Sequence, residues 1–410
     1  MRVLLLTQWF EPEPVFKGLA FAQALRERGH QVQVITGFPN YPGGEIYKGY
    51  KLKWFQRQTM DGIEVCRVPL YPSHDGSAIG RAFNYISFAI TSCLFGILFS
   101  RKADVIYAYH PPLTVGMSAA IMGLFRRTPV VYDIQDMWPD TLKATGMLNN
   151  AKALSLIGWI CKWIYRRAAA LVVLSPGFKQ LLLERGVPEQ KVKVIYNWCD
   201  AKALSQPTSL VKPERMQSRF NVVFAGTMGR AQALDAVIAA AAIIVKTHPQ
   251  IQFVFVGGGM DVERLKQLAL DQSPESVIFL PRMSMTDVGQ VLFAADLLMV
   301  HLRDDPLFAI TVPSKTQAYM AVGKPILMAV RGDAANIIRD AECGVVVEPE
   351  QADQIAQAVI EFSQLSQERL VEMGQNGLAY YQQNLSIQTG VDQFVQVFHS
   401  VQPSGSGAFL

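Results

Sequence analysis

The sequence predicts an α/β protein of two doubly wound, Rossmann-like domains, and two observations support this. Short apolar stretches alternate with longer amphipathic ones throughout the 410 residues, which is the pattern of repeated β–α–β units. A chain of this length also exceeds what one hydrophobic core usually supports. A polar, proline-containing stretch near residues 200–220 separates two such series, so we expect one domain on either side of it.

The first series predicts an N-terminal domain over residues 1–200. It begins with the strand RVLLLT, a helix through GLAFAQALRERGH and the strand QVQVITG. Strands joined by a helical crossover run parallel, so this is the start of a parallel sheet. The later predicted strands are EVCRVP, ADVIYAY, PVVYDI, ALVVLS and KVKVIYN.

The second series predicts a C-terminal domain over residues 201–384. Its predicted strands are FNVVFAG, IQFVFVGGG, SVIFLP, DLLMVHL, KPILMAV and CGVVVEP. A final amphipathic helix is predicted over residues 385–401, able to pack back on the first domain, and residues 402–410 are typical of a flexible tail. Ligands of doubly wound sheets bind outside the carboxyl ends of the strands. We therefore expect the functional site in a cleft between the two domains.

The charge of the chain is unevenly distributed. Residues 1–200 hold 23 Lys/Arg and 14 Asp/Glu, a net charge of +9, whereas residues 201–410 carry a net charge of −5. A basic half favours an anionic partner. No zinc-ligand spacing, RNA-binding signature or basic repeat accompanies it, so we exclude nucleic acid and expect an anionic lipid surface or a lipid phosphate.

Two loops of the second half have the composition of a phosphate site. In FAGTMGRAQALD, Gly226 and Gly229 lie between a strand and a helix, where small residues let backbone N–H groups approach an anion. In TVPSK, Thr311, Ser314 and Lys315 lie at a helix start and offer hydroxyls and an ammonium to a diphosphate. A tight turn and a capped helix with a solvated lysine are the alternative interpretations.

Further candidates follow other predicted strands. In the second half, Arg282 of FLPRM lies where a base would be recognised, and Arg303 of HLRDDPLF where phosphates would lie; both also fit ordinary surface charges. In the first half, His110 ends the strand of YAYHPP. A histidine facing the cleft at this position could transfer a proton, and a purely structural role is the alternative. In YDIQDMWPD, Asp136 is one of three carboxylates, but no histidine lies nearby and the neighbours are Trp, Met and Pro, so no metal site is predicted.

The chain resembles, over nearly its whole length, the retaining glycosyltransferases of family 4, which have the GT-B fold. It is most similar to the subgroup that builds O-antigen, capsular and exopolysaccharide repeat units, including transferases of N-acetylated deoxyhexosamines. The resemblance rests on TGFPNYPGGEIYKGY, RVPLYPSHDGSAIGRAFNYISFA, YDIQDMWPD, NVVFAGTMGRAQALD and VPSKTQAYMAVGKPILMAVRGDAANII.

The resemblance implies a nucleotide-sugar donor, UDP-linked, in the C-terminal domain and a polyprenyl-diphosphate-linked acceptor in the N-terminal one. In the family proposal the leaving diphosphate helps to deprotonate the acceptor hydroxyl, so neither an enzyme nucleophile nor a metal is expected. Stabilisation of charge and alignment of the substrates carry such a reaction. Carried over to this chain, His110 lies near the reacting sugar, Asp136 orients the acceptor hydroxyl and Glu13 faces the acceptor.

The chain departs from the family at four ligand positions. Two glutamates eight residues apart are common in the family, and their aligned positions here are Ile310 and Ala318. An arginine and a lysine after the second-domain glycine loop are replaced by Thr227 and Gln232. Positive charge is then expected from other side chains, namely Arg230, Arg282, Arg303 and Lys315.

Two segments favour peripheral attachment to the inner face of the cell membrane. Residues 81–102 are apolar between basic ends, which is marginal for a span and also fits a buried helix, and residues 154–167 mix Trp and Tyr with Lys and Arg. Five widely spaced cysteines without a C-x-x-C pair indicate a reducing compartment, consistent with the cytoplasm.

Two other functions remain open at this level. The first is another GT-B enzyme, such as a nucleotide-sugar 2-epimerase, which would release epimerised nucleotide sugar without any acceptor. The second is a non-catalytic protein that binds a sugar nucleotide, favoured by the missing glutamates. It would bind UDP without any transfer.

Overall fold

The computed structural model describes residues 1–73, 78–144, 146–201, 203–204, 213–273 and 275–402. Contacts divide the chain into two compact units. The first consists of Met1–Leu174, Phe178–Ile195 and the chain from Gly390 onward, and the second of Ser175–Gly177 and Tyr196–Thr389.

The first unit contains an eight-stranded sheet. Its strands are β1 (Arg2–Leu6), β2 (Gln31–Gly37), β3 (Gln56–Met60), β4 (Ile63–Val68), β5 (Val105–Tyr109), β6 (Val130–Ile134), β7 (Ala170–Val173) and β8 (Val192–Val194). They lie in the order β3-β4-β2-β1-β5-β6-β7-β8, and every pair is parallel except β3 with β4. The sequence did not predict β3, because this edge strand, QRQTM, has a single apolar residue and therefore no apolar pattern.

Helices connect these strands. They are α1 (Leu19–Glu27), α2 (Ala78–Leu98), α3 (Leu113–Arg126), α4 (Asp140–Ala144), α5 (Ala151–Arg167) and α6 (Pro176–Glu184), with a 3₁₀ turn at Glu189–Lys191. The strands of the sheet centre are almost wholly buried, as parallel strands covered on both faces must be. α3 packs between α2 and α5, so these three helices form one layer.

The second unit contains a six-stranded, all-parallel sheet. Its strands are β9 (Phe220–Thr227), β10 (Ile251–Gly258), β11 (Val277–Leu280), β12 (Leu297–His301), β13 (Ile326–Ala329) and β14 (Gly344–Val346). They lie in the order β11-β10-β9-β12-β13-β14. The order reverses direction between β9 and β12, and such a switch point is where doubly wound sheets bind their ligands.

Eight helices and two 3₁₀ turns accompany this sheet among the described residues. They are α7 (Asp235–Ile244), α8 (Val262–Gln272), α9 (Met285–Ala294), α10 (Pro306–Ala309), α11 (Ser314–Val322), α12 (Asp333–Asp340), α13 (Ala352–Gln364) and α14 (Gln367–Tyr380), with 3₁₀ turns at Glu214–Met216 and Arg230–Gln232. A π-helical turn at Tyr381–Leu385 leads to the last helix, α15 (Ile387–Ser400). Apolar side chains of α7 and α13 cover one face of the sheet.

The division of the chain differs from the predicted boundary at residue 200. Tyr196 already belongs to the second unit, where Cys199 contacts both Gln317 and the hydroxyl of Tyr381. The sequence predicted a later boundary because the polar stretch near 200–220 begins only after Tyr196 and Cys199, which already pack in the second unit. Residues 202 and 205–212 of that stretch lie outside the described residues.

The chain returns to the first unit at its end. The Phe394 ring of α15 lies 5.3 Å from that of Phe21 and 5.4 Å from that of Tyr107. Asp392 accepts a hydrogen bond from Arg28 at 2.5 Å. The contacts reach the sheet itself, so α15 completes the first core. Residues 403–410 of the predicted tail lie outside the described residues.

Candidate functional site

The carboxyl ends of β9 and β10 form an edge of bare backbone in the second unit. Gly226 pairs with Gly257, and both have positive φ, +140° and +137°. A Cβ on Gly257 would lie 2.1 Å from the carbonyl oxygen of Gly226, and one on Gly259 would lie 2.0 Å from that of Met228. Only glycine permits this approach and this backbone conformation. The edge thus presents backbone, with Gly226 and Thr227 exposed.

Lys315, in the first turn of α11, points its ammonium at this edge. Nζ lies 3.4 Å from the centre of the Phe224 ring, and a Cβ on Gly226 would lie 3.3 Å from Nζ. Nζ is buried and has no hydrogen-bond partner among the residues that the structure describes. Burial lowers its pKa to about 7, against 10.5 for a solvated lysine. A buried ammonium facing a ring instead of a carboxylate lacks the partner that such a group usually has.

Tyr319 fixes the position of Lys315 relative to β9. Its hydroxyl accepts a hydrogen bond from the Ala225 N–H at 2.7 Å and lies 3.3 Å from the Ala225 carbonyl oxygen. Lys315 precedes Tyr319 by four residues, so the two side chains lie on one face of α11. Pro313, at the N-cap, has no side-chain acceptor to cover the helix start. The first turn of α11 and the end of β9 are therefore held together as one rigid corner.

His301 fixes the loop that follows Gly229, and sequence reasoning missed it. Its Nε2 accepts a hydrogen bond from the Glu350 N–H at 3.0 Å, so the proton lies on Nδ1, which donates to the Gln232 carbonyl at 2.7 Å. Burial lowers the pKa of His301 and favours this neutral form. The side chain of Gln232 in turn accepts from the Gly229 N–H at 3.0 Å. A histidine ending a buried strand, just before Arg303, was the available signal.

The other donor candidates of the second unit have different surroundings. Arg230 and Arg282 are exposed, as is Ser314. Arg303 donates its backbone N–H to Ala231 at 2.9 Å, which ties it to the same loop, while its guanidinium lies 3.7 Å from Asp305. Thr311 donates its hydroxyl to the Leu307 carbonyl at 2.8 Å and so stabilises the end of α10. The geometry brings Gly226 and Lys315 together and leaves the roles of the other side chains as predictions.

His110 of the first unit is a buried, neutral imidazole. It is 1% exposed, its ring lies edge-on to Trp138 at 5.6 Å and to Tyr132 at 6.0 Å, and burial lowers its pKa to about 3. Its Nδ1 is buried without a hydrogen-bond partner among the described residues. A neutral imidazole can donate or accept one hydrogen bond, but it does not bring a positive charge to a substrate at neutral pH.

The three aspartates in and after β6, namely Asp133, Asp136 and Asp140, have separate environments. Asp133 is fully buried and accepts hydrogen bonds from Lys17, Tyr107 and Gln135, each at 2.6 Å. Burial raises the pKa of Asp136. Asp140 pairs with Arg185. Among the described residues, no group of three or more His, Cys, Asp or Glu side chains is arranged to hold a metal.

Glu13 connects two loops of the first unit. One carboxylate oxygen accepts from the backbone N–H groups of Asn40 and Tyr41, both at 2.8 Å, and the other from that of Phe10 at 3.2 Å. The side chain is 2% exposed, and burial raises its pKa to about 7. Through these hydrogen bonds Glu13 holds the two loops together. Its contact with the acceptor stays a prediction.

Two family models match the chain in succession. The glycosyl transferase 4-like domain matches residues 19–198, and the glycosyl transferases group 1 domain matches residues 206–380. The chain belongs to the GT-B glycosyltransferases. The predicted enzyme class is thus confirmed.

Two proteins of similar sequence are also described as glycosyltransferases. The probable glycosyltransferase WbjE of Pseudomonas aeruginosa is 24% identical over 302 residues, covering 72% of this chain and 74% of WbjE. The putative colanic acid biosynthesis glycosyl transferase WcaI of Escherichia coli is 25% identical over 316 residues, covering 73% and 75%.

Solved structures confirm the predicted fold class. Anabaena HepE, solved in complex with UDP-glucose, superposes with a TM-score of 0.69 at 18% identity and covers 98% of this chain and 100% of HepE. An Escherichia coli protein described as trehalose-6-phosphate bound with UDP-2-fluoro glucose gives a TM-score of 0.71 at 11% identity, covering 98% and 100%. At these identities the likeness concerns the fold alone.

Proposed function

We propose that this glycosyltransferase moves a sugar from a UDP-linked donor to a saccharide carried on a polyprenyl diphosphate, with retention of the anomeric configuration. One observation carries the donor half of the proposal: the buried ammonium of Lys315 has no acceptor among the described residues and faces the glycine edge. A diphosphate supplies the missing counter-charge.

The chemistry of the corner fits a diphosphate in three respects. The start of α11 bears the positive end of the helix dipole, and the exposed backbone at Gly226 and Thr227 allows close approach of phosphate oxygens. Lys315 adds a charge-assisted hydrogen bond in a place shielded from water. HepE, which shares this fold, was solved with UDP-glucose.

The same groups serve the reaction. Charge develops on the diphosphate as its bond to the sugar breaks, and a fixed ammonium in a dry site stabilises that charge without reorganisation. The leaving phosphate oxygen then takes the proton of the attacking hydroxyl, so this proposal requires neither a metal nor an enzyme nucleophile. The sugar and ribose hydroxyls that glutamates commonly hold in the family that the chain resembles would here be held by backbone groups, Thr311, Gln317 or water.

The acceptor half of the proposal is supported by the first unit. A groove of about 590 Å³ lies between α4 and α5 and continues from Pro139, beside the Trp138 ring that contacts His110. Apolar Leu154 and Trp159 line it together with Lys143, Lys162 and Asp140, and the carboxylate of Asp140 is paired with Arg185. An isoprenoid bearing a diphosphate has the matching combination of apolar chain and negative charge. His110 and Asp136 would then lie near the acceptor hydroxyl.

The biological setting of the proposal is assembly of a bacterial surface polysaccharide at the cytoplasmic face of the membrane. WcaI is described as a colanic acid biosynthesis enzyme, which supports this class of product. All five cysteines are buried and free, consistent with a reducing compartment. N-acetylated hexosamines, including deoxy forms, are the donors to test first.

A thermal-shift panel of UDP-, GDP- and dTDP-sugars tests the donor, followed by transfer assays with polyprenyl-diphosphate saccharides and NMR of the new linkage. Stabilisation by UDP-sugars and a product of retained configuration are expected. Epimerised nucleotide sugar formed without acceptor, or UDP binding with no transfer to any acceptor, would replace the proposal with one of the two alternatives. Ala318→Glu should tighten UDP binding if the corner keeps the family geometry.

A further inference from the structure

An apolar stripe runs along the outer side of α2 in the first unit. Six large side chains spaced three or four residues apart are each between 51% and 70% exposed, namely Ile79, Phe83, Ile86, Ile90, Leu94 and Leu98. By length and composition this helix could span a membrane, and only 28% of its apolar segment Ile79–Leu98 is buried within the protein. The alternative of a buried sheet-flanking helix therefore does not describe α2.

The stripe continues onto neighbouring elements. In the layer formed by α2, α3 and α5, Phe125 at the end of α3 is 73% exposed and Trp159 of α5 is 65% exposed. Phe55 stacks on Phe95 of α2 at 5.3 Å, which places the exposed Trp54 beside the same helix. Large apolar patches of this kind mark an interaction surface.

The charge of this layer has one sign. The segments of α2, α3 and α5 contain no Asp or Glu, and their charged residues are Arg81, Arg126, Lys152, Lys162, Arg166 and Arg167. By contrast, α1, α6 and α15 each contain an acidic residue. Exposed apolar and tryptophan side chains among cations without any carboxylate match the interface of an anionic bilayer.

We infer that the α2–α3–α5 layer is a docking surface for an anionic phospholipid bilayer, with α2 lying in the plane of the interface. The biological role of this docking rests on the proposed lipid-linked acceptor, whereas binding to the bilayer does not require any sugar substrate. It would present the α4–α5 groove to lipids whose headgroups lie at the same level.

Two features favour this occupant and this orientation. A spanning helix puts its ends on opposite sides of the bilayer, but β4 and β5, which precede and follow α2, belong to one sheet. The inner side of α2 is also fixed by polar contacts, since Asn84 is buried and bonds to Gln8 and Asn40. Against a second copy of the chain, a symmetric pairing of this layer would oppose cations to cations.

Vesicle flotation of the full chain tests the inference. We expect binding to phosphatidylglycerol vesicles about tenfold or more tighter than to phosphatidylcholine vesicles, weakened by salt. The double variant Ile86→Glu/Ile90→Glu should lose at least about tenfold in binding, because two carboxylates replace apolar contacts. Leu270→Glu is the matched control, since Leu270 is 62% exposed on α8 of the second unit, and it should bind as the unaltered protein does.

The outcomes separate this inference from the proposed function. Unchanged vesicle binding of the double variant, with UDP binding and thermal stability intact, would overturn the docking surface even if transfer proceeds. A dimer that the double variant dissociates would assign the stripe to a second copy, and resistance to alkaline extraction would favour a span; both contradict the inference. Docking as expected without any sugar transfer would instead count against the proposed function alone.

Discussion

The ammonium of Lys315 lies 3.4 Å from the centre of the Phe224 ring, buried and without a hydrogen-bond acceptor among the described residues. The ring interaction favours the protonated form, whereas burial opposes it. A bound anion would therefore stabilise the protonated form of Lys315. The first three predictions follow from this isolated ammonium.

Lys315→Met should weaken UDP binding by about 10- to 100-fold, because a charge-assisted hydrogen bond contributes about 1.5–3 kcal/mol. Isothermal titration with UDP measures the effect. Lys246→Met, which removes an exposed lysine of the same unit, is the control and should leave the affinity unchanged. Equal affinities for both variants would remove Lys315 from the diphosphate site.

UDP binding should weaken as the pH rises above about 7. The pKa of Lys315 is lowered to about 7 in the free protein, so the ammonium is present below that pH and lost above it. Affinity should fall by up to about tenfold per pH unit until the higher pKa of the complex is reached. Titrations between pH 6 and 9 in wild type and Lys315→Met measure this, and a parallel slope in the variant would assign the pH effect to another group.

The stability of Lys315→Met should exceed that of the wild type most clearly at low pH. A lysine whose pKa is lowered on folding destabilises the folded state fully while both states are charged, below about pH 7. That cost fades as the pH rises towards the unfolded pKa near 10.5, where both states become neutral. Melting temperatures of the two proteins should therefore converge between pH 7 and 10. A constant difference would indicate a packing effect of methionine instead.

Gly257→Ala should lower the free energy of unfolding by about 2–4 kcal/mol and abolish UDP binding. Its Cβ would lie 2.1 Å from a carbonyl oxygen at a φ of +137°. Gly258→Ala is the neighbouring control, since a Cβ there meets nothing within 4 Å. Urea unfolding and UDP titration of both variants compare the two positions, and similar losses would show that the edge tolerates no change for reasons other than close approach.

Asp133→Asn should destabilise the protein by about 3–5 kcal/mol, because it leaves the fully buried Lys17 without a counter-charge. Asp104→Asn breaks a partly exposed pair with Arg2 and should destabilise the protein much less. Urea unfolding at neutral pH measures both. A small loss for Asp133→Asn would mean that Lys17 is already neutral in the folded protein.

Several strands and both sheets could be predicted because their signal is local. Buried parallel strands such as β1 and β10 are continuous apolar runs, and helices with a regular stripe follow them. The exception is β3, whose pairing with β4 is not encoded in an apolar pattern. The corner at Gly226 and Lys315 was predicted as a pair of loops, from glycine and helix-start chemistry.

Other features depend on contacts between residues far apart in sequence. His301 is a loop anchor only because Glu350 and Gln232 meet its two nitrogens. Glu13 has its structural task because a loop 27 residues later supplies two N–H groups. The spacing of residues in the sequence predicts neither arrangement, because each depends on how loops from different strands meet.

By itself, the sequence determined the α/β class, the two-series organisation, the family and the acid-free composition of α2, α3 and α5, because periodicity and residue type are local properties. The tertiary structure decided which side chains are isolated from water and from partners. It left Lys315 without an acceptor among the described residues, returned α15 to the first unit and kept the stripe of α2 exposed. Burial is set by the whole fold, and burial decides whether a lysine is a solvated surface charge or an isolated ammonium and whether the side chains of an apolar helix are core or exposed.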